Sequence, residues 1–285
     1  MKIYNSSGLD EDRVRQDAAL FRSAPAFASV LRDYTSALAD FRRDPRVVNK
    51  LISHETRFRV INHLLVVHAG KILAGGTGGV TYSEMLELCA QFPDIGLRVL
   101  KTMLPLSVLT GFVGVAFSPD DRRVKIYTPS AKLMAVAGAR LVPVIVALQT
   151  LQPHVPRAAL LRDDPMFALR ALYRNGCFQR EHRSLISDLS EFSVFAGGRE
   201  GVGQIVYAVM LADMGAAPLP SRSALAKQFG LSKTQVWSVF AEGERLGYFV
   251  QAESGTPVAT AKLRDQYAEW TALELAYCAS VLTAA

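Results

Sequence analysis

The spacing of apolar residues is helical over most of the chain. Asp10 to Phe21 is a charged amphipathic stretch. After Pro25, the residues Phe27, Val30, Leu31, Tyr34, Leu38 and Phe41 recur at i, i+3, i+4, i+7 spacing and predict one buried helix face over Ala26–Arg43. Asp44-Pro45 ends it, because proline disfavours helical geometry in the residue before it. A further helix is predicted from His54 to Leu73, stopped by Gly75-Gly76-Thr77-Gly78-Gly79. Thr81–Phe92 reads as a short helix. Pro93-Asp94 starts another that reaches Leu109, with Asp94 to Leu109 as its span and Pro105 expected to bend or break it.

The period then changes. Gly111-Phe112-Val113-Gly114-Val115-Ala116-Phe117 has the aromatic and β-branched content of a strand. Ser118-Pro119-Asp120-Asp121 is a turn, and Arg123-Val124-Lys125-Ile126-Tyr127 alternates as a half-buried strand does. Thr128-Pro129-Ser130 opens a helix to Leu151. Pro153 to Gly198 reads as helices broken at Asn175-Gly176 and at Ala196-Gly197-Gly198. A helix from Gln204 to Met214 follows, then a second helix-helix-strand run from Ser221 to Val258. A long helix from Ala261 to Leu282 closes the pattern.

The two halves rhyme. Leu109-Thr110-Gly111-Phe112-Val113 corresponds to Leu246-Gly247-Tyr248-Phe249-Val250 with one residue inserted. Thr128-Pro129 before Ala131-Lys132-Leu133 corresponds to Thr256-Pro257 before Ala261-Lys262-Leu263. The shared order of elements predicts a mainly α fold with two winged helix-turn-helix modules. Each has three helices plus a short β-hairpin, and long helices join and flank them. The expected domains are an N-terminal helical region over 1–53, a first winged-helix module over 54–152, a helical connector over 153–203 and a second winged-helix module over 204–285.

The clearest motif lies between Ser221 and Val250. Ala226 is small where one helix crosses the next, and Gly230 supplies the turn between them. Ser232 is a good N-cap. Val236, Val239, Phe240, Gly243 and Leu246 form an inner face. The opposite face carries Thr234, Ser238, Ala241 and Arg245, with Lys233 at the start and Trp237 on the shoulder. A face this slim and polar suits a DNA major groove about 12 Å wide. Lys233, Thr234, Gln235 and Ser238 can meet base edges and phosphates there. Trp237 either packs on the wing or meets sugar or a thymine methyl. Ser221, Arg222, Ser223 and Ser232 stand at helix starts, where free N–H groups favour phosphate. In the first module Arg98, Lys101, Thr102 and Pro105 make a comparable stripe. The hairpin tip offers Arg122, Arg123 and Lys125 to a minor groove, or else Asp and Arg pair locally in a solvated turn.

Residues 55–150 resemble the MarR family of winged-helix regulators. The resemblance is carried by the Leu109–Val113 strand, the Ser118-Pro119-Asp120-Asp121-Arg122-Arg123 wing and the Thr128-Pro129-Ser130-Ala131-Lys132-Leu133 helix entry. Residues 204–282 resemble a generic winged helix. The resemblance implies double-stranded DNA as partner and action as a homodimer on a two-fold site. Two modules in one chain instead imply an intramolecular pseudo-dimer or a larger dimer.

Composition narrows the alternatives. Half the chain is hydrophobic and a fifth charged, the balance of a folded chain, and the net charge of +6 suits a polyanion. Cys89, Cys177 and Cys278 are too few and too scattered for a disulfide framework and fit a reducing cytosol. The histidines, His54, His63, His68, His154 and His182, show no metal-ligand spacing. Both glycine-rich runs, 75–79 and 197–203, lack the Lys-Ser/Thr of a phosphate loop and read as flexible joints. The apolar run Leu141–Leu148 is interrupted by Pro143 and too short for a bilayer. No catalytic constellation stands out, so the sequence predicts a cytoplasmic, nucleoid-associated DNA-binding regulator. No enzyme activity, cofactor, metal or membrane partner is expected. The competing expectations are a plasmid-type replication initiator on repeated origin sites and a winged-helix scaffold for proteins.

Overall fold

The computed structural model describes residues 10–43, 55–92, 95–152, 154–155, 158–181 and 190–283. The sequence signals at Asp44-Pro45, His54, Pro93-Asp94 and Pro153, and the histidine at 182, lie outside the described residues. The fold is mainly helical. In chain order it runs α1 (Glu11–Ser23), α2 (Phe27–Arg43), α3 (Glu55–Leu73), β1 (Val80–Thr81), α4 (Tyr82–Cys89), α5 (Leu97–Leu109), β2 (Val113–Phe117), β3 (Lys125–Pro129) and α6 (Ala131–Leu151). It continues with α7 (Leu160–Asp163), α8 (Pro165–Glu181), α9 (Ser190–Gly198), α10 (Val202–Asp213), α11 (Arg222–Phe229), α12 (Lys233–Arg245), β4 (Phe249–Gln251), β5 (Pro257–Ala259) and α13 (Ala261–Thr283).

Apolar burial divides into two cores. The smaller gathers Leu64 of α3, Val80 of β1, Met85 of α4, Leu100 and Met103 of α5, Phe112 and Leu133. The larger joins the two ends of the chain: Val14 and Phe21 of α1 and Tyr34 of α2 lie with Tyr267 and Leu275 of α13 and with Val236 and Phe240 of α12. Polar bonds reinforce that union. The Thr35 hydroxyl and the Tyr267 phenol share a buried bond of 2.8 Å, and Arg22 pairs with Asp265 at 2.5 Å. Helix α6 belongs to both cores, with Leu133 in the smaller and Val144, Ile145 and Leu148 in the larger.

Five sequence expectations change. Pro105 does not break α5, which runs unbroken from Leu97 to Leu109. Proline removes the bond to the carbonyl four residues back, on Lys101. Both residues are exposed, so water can serve that carbonyl. Asn175-Gly176 does not break α8 either. A Cβ on Gly176 would come within 1.9 Å of Val66, so the glycine is there to let α8 lie close against α3. The first sheet has three strands in the order β1-β3-β2, because Val80 and Thr81 pair with Tyr127 and Ile126. The two glycine-rich runs are anchored rather than loose. Gly79 donates its N–H to His68 Nδ1 and accepts from Lys71 Nζ, while Gly201 is buried with Leu231 packed where a Cβ would sit. Pro143 lies inside a continuous helix of 21 residues, and α6 is long and apolar enough to cross a membrane by length and composition alone. In the fold its C-terminal half joins the larger core.

Candidate nucleic-acid interface

The geometry begins with two helices of equal length. α5 and α12 each have 13 residues. Each is preceded by an 8-residue helix, α4 or α11, which starts on a Thr or Ser cap, Thr81 or Ser221. Each of the longer helices ends in the same way. Gly111 adopts φ 72° and Gly247 φ 75°, a left-handed conformation that only glycine reaches cheaply. Gly111 N–H donates to Val108 and Phe112 N–H to Ser107; Gly247 N–H donates to Glu244 and Tyr248 N–H to Gly243.

The match continues through the hairpins. Ser130 caps α6 through Leu133 N–H and donates its hydroxyl to Gly111 O at 2.8 Å. Thr260 accepts from Leu263 N–H and donates to Gly247 O at 2.7 Å. Lys132 Nζ reaches Thr110 O and lies 4.2 Å from the Phe112 ring centre. Lys262 Nζ reaches Leu246 O and lies 4.7 Å from that of Tyr248. The repeat in three dimensions is glycine cap, aromatic residue, hairpin, hydroxyl cap and lysine. It matches Phe112 to Tyr248 and Ser130 to Thr260, so Phe112 does not answer Phe249, and Thr128-Pro129 answers Val258-Ala259 rather than the Thr256-Pro257 of the sequence rhyme.

Aligning the helices on their glycine caps places Arg98 beside Thr234, Lys101 beside Trp237, Thr102 beside Ser238 and Pro105 beside Ala241. The buried faces correspond too, with Leu100, Met103, Leu104 and Ser107 answering Val236, Val239, Phe240 and Gly243. Gly243 is required here, since a Cβ would meet the Phe249 ring at 2.2 Å.

On α12 the outer row is presented as the sequence implies. Lys233, Thr234, Gln235 and Trp237 are exposed and Ser238 is half-buried. Trp237 is 59% exposed, so the indole is not tucked beneath the hairpin. Ser232 and Gln235 are occupied locally. Gln235 Oε1 accepts from Ser232 N–H at 2.8 Å, and Ser232 Oγ accepts from Gln235 N–H at 3.1 Å. They form a capping box that fixes where α12 begins. Ser221 Oγ likewise accepts from Ala224 N–H. Arg222 lies over the Phe240 ring at 5.7 Å, and Ser223 is exposed.

One participant stands outside the sequence motif. Arg199, exposed just beyond α9, donates to Ser238 Oγ at 3.1 Å and brings a cation onto the middle of the row. Two residues on, at Gly201, Leu231 packs where a Cβ would sit, a contact between segments distant in sequence. Arg245 closes the row and pairs with Glu242 at 2.7 Å. That hydrogen bond, with further help from Arg199, holds the Glu242 carboxyl below its usual range.

The first unit is differently equipped. Arg98, Lys101 and Thr102 are exposed on α5, with Thr102 Oγ1 bonded back to Arg98 O at 2.9 Å. Gly96, at the start of α5, gives no side-chain cap. At the hairpin tip Arg122, Arg123 and Lys125 are all exposed. Arg123 Nε meets Asp121 at 3.2 Å, the local pairing that a solvated turn allows. The β4–β5 tip carries Glu253, Ser254 and Gly255 and no cation. A basic hairpin thus belongs to the first unit alone. Comparison with protein-family models, curated proteins and solved structures found no match to the chain.

Proposed function

We propose that the protein is a sequence-specific, double-stranded-DNA-binding transcriptional regulator. In this reading the two repeated units are winged helix-turn-helix modules, α12 reads the major groove, and the basic β2–β3 hairpin approaches the minor groove. The observation that carries the reading is the outer row of α12. Lys233, Thr234 and Ser238, joined by Arg199, stand on the exposed side of a helix whose other side is buried core. Such a row is narrow enough for the groove, and its donors and acceptors match base edges and phosphates. A packing face would be apolar throughout, whereas Trp237 is the one large apolar side chain here among polar neighbours. The exposed Arg98 and Lys101 on α5, with Arg122, Arg123 and Lys125 on the hairpin, supply a second surface of phosphate-binding character. The two rows differ in sequence, so the DNA site this reading predicts is not a strict palindrome.

The test is selection of bound genomic fragments, followed by footprinting and a fluorescence-anisotropy titration of the purified chain. A protected site with affinity falling steeply with salt supports the proposal. Lys233→Ala with Ser238→Ala should then weaken specific binding by about 2–5 kcal/mol if each side chain meets a base edge. Unchanged specific affinity in that variant would overturn the assignment of α12. A chain with no salt-dependent DNA affinity at all would instead be the protein-binding scaffold.

A further inference from the structure

Helix α6 has an apolar side that neither core takes up. Between its two core-bound ends, Ala135, Gly138 and Ala139 face a cavity of about 780 Å³. Leu161 and Leu169 of α7 and α8 form the opposite wall, and His68 of α3 completes it. The volume falls within the range that holds a small organic ligand. It exists because small residues line one helix where its neighbours on other helices would pack against larger ones.

His68 is the one polar side chain among the lining residues, and it is only 8% exposed. Its Nδ1 accepts the Gly79 N–H at 3.0 Å, so the ring's proton resides on Nε2. Among the described residues no second hydrogen bond engages that ring. An otherwise apolar cavity thus presents one N–H donor without a protein partner to whatever molecule enters it.

We propose that this cavity binds a small, largely apolar molecule with one hydrogen-bond acceptor, held by the Nε2–H of His68, and that its binding stiffens the β1–β3–β2 sheet. The coupling is short. His68 holds the N–H of Gly79 and Lys71 holds its carbonyl at 2.9 Å. The next residue, Val80, pairs with Tyr127 of β3, the strand that returns from the Arg122–Arg123 tip. A ligand bonded at Nε2 fixes the tautomer that accepts at Nδ1, and so secures the Gly79 clamp. Neither the ligand nor the coupling requires the hairpin to touch DNA.

The experiment is a fluorescence titration of the full chain with prodan, a neutral naphthyl ketone with one carbonyl acceptor, alongside hydrogen exchange. The expected result is saturable binding at one site per chain, with blue-shifted emission and slower exchange at Val80, Thr81 and Tyr127. A Cβ on Gly138 meets nothing within 4 Å, so a side chain there starts into open space beside the cavity, and Gly138→Phe should weaken binding by at least about tenfold. Ala139→Leu serves the same purpose should the larger ring disturb folding. His68→Phe keeps the ring shape but should weaken binding severalfold and abolish the exchange protection. Non-saturable binding, or equal affinity in Gly138→Phe and Ala139→Leu, overturns the proposal. So does concentration-dependent self-association that those two substitutions abolish, because the cleft is then an interface between copies.

Discussion

At the scale of single residues, the most informative positions are those where size is forced. Gly176 stands mid-helix, where glycine costs about 1 kcal/mol relative to alanine. Its place there is explained by Val66, which occupies the space a Cβ would need at 1.9 Å. Gly176→Ala should therefore lower stability by about 1–3 kcal/mol despite alanine's better helix propensity. Val66→Ala in the same chain should recover much of the loss, read by urea denaturation of the four members of the cycle. Additive effects would mean that α3 and α8 do not touch there. The hydroxyl caps offer a second test at this scale. Ser130→Ala and Thr260→Ala each remove a cap and a bond to the preceding glycine carbonyl, and each should cost about 1–2 kcal/mol. Similar losses at the two positions are what the repeat demands. In the sequence Gly176 looks like a helix break, because the partner that gives it meaning lies on another helix. Ala226 and Gly230 are legible because the crossing they serve is between neighbours in the chain.

At the scale of elements, the anchored loop before β1 sets a pH dependence. Burial, and then the nearby Lys71, push the His68 imidazole below its ordinary value. Across the same loop Lys71 is paired with Glu84 at 2.8 Å. Burial raises the Glu84 carboxyl, but bonds from Lys71 and Thr81 outweigh it and hold that carboxyl low. For His68 the unfolded chain takes up its proton at a higher pH than the folded one. Its contribution to stability is thus complete above the ordinary histidine value and is lost as pH falls through and below it. Protonation also removes the Nδ1 acceptor from Gly79. Thermal unfolding should show stability falling between pH ~7 and ~5, with a shallower fall in His68→Phe. Equal slopes in the two proteins would place the pH response elsewhere. The helices and the β2–β3 hairpin are legible in the apolar period and the turn residues, whereas β1 is not. Two residues after a glycine run carry no periodicity, and only pairing to Tyr127 and Ile126 makes them a strand.

At the scale of the whole molecule, chain ends distant in sequence share one core, and Arg22 meets Asp265 across 243 positions. Local patterns cannot report such a union, so the N-terminal helices read as a separate region and nothing around Arg199 signals its place beside Ser238. The same architecture bears on how two unequal rows would share one DNA. The α12 row combines hydroxyls, an amide and an indole with few cations, whereas the first unit concentrates Arg98, Lys101, Arg122, Arg123 and Lys125. Base-edge bonds carry specificity, and phosphate neutralisation carries salt dependence. Under the proposed function the two units should fail differently. Arg122→Ala, Arg123→Ala and Lys125→Ala together should weaken binding to specific and unrelated duplexes alike. They should also flatten the log–log salt slope by about 1 for each phosphate no longer neutralised, up to about 3. Lys233→Ala with Ser238→Ala should mainly reduce the ratio of specific to non-specific affinity, lowering the slope by no more than about 1 for the single cation removed. Anisotropy titrations at several salt concentrations on both duplexes separate these effects. A hairpin triple variant with wild-type slope would leave α12 as the sole reading head and make the first unit a support for it. A loss of slope confined to the α12 variant would reverse the division of labour between the units.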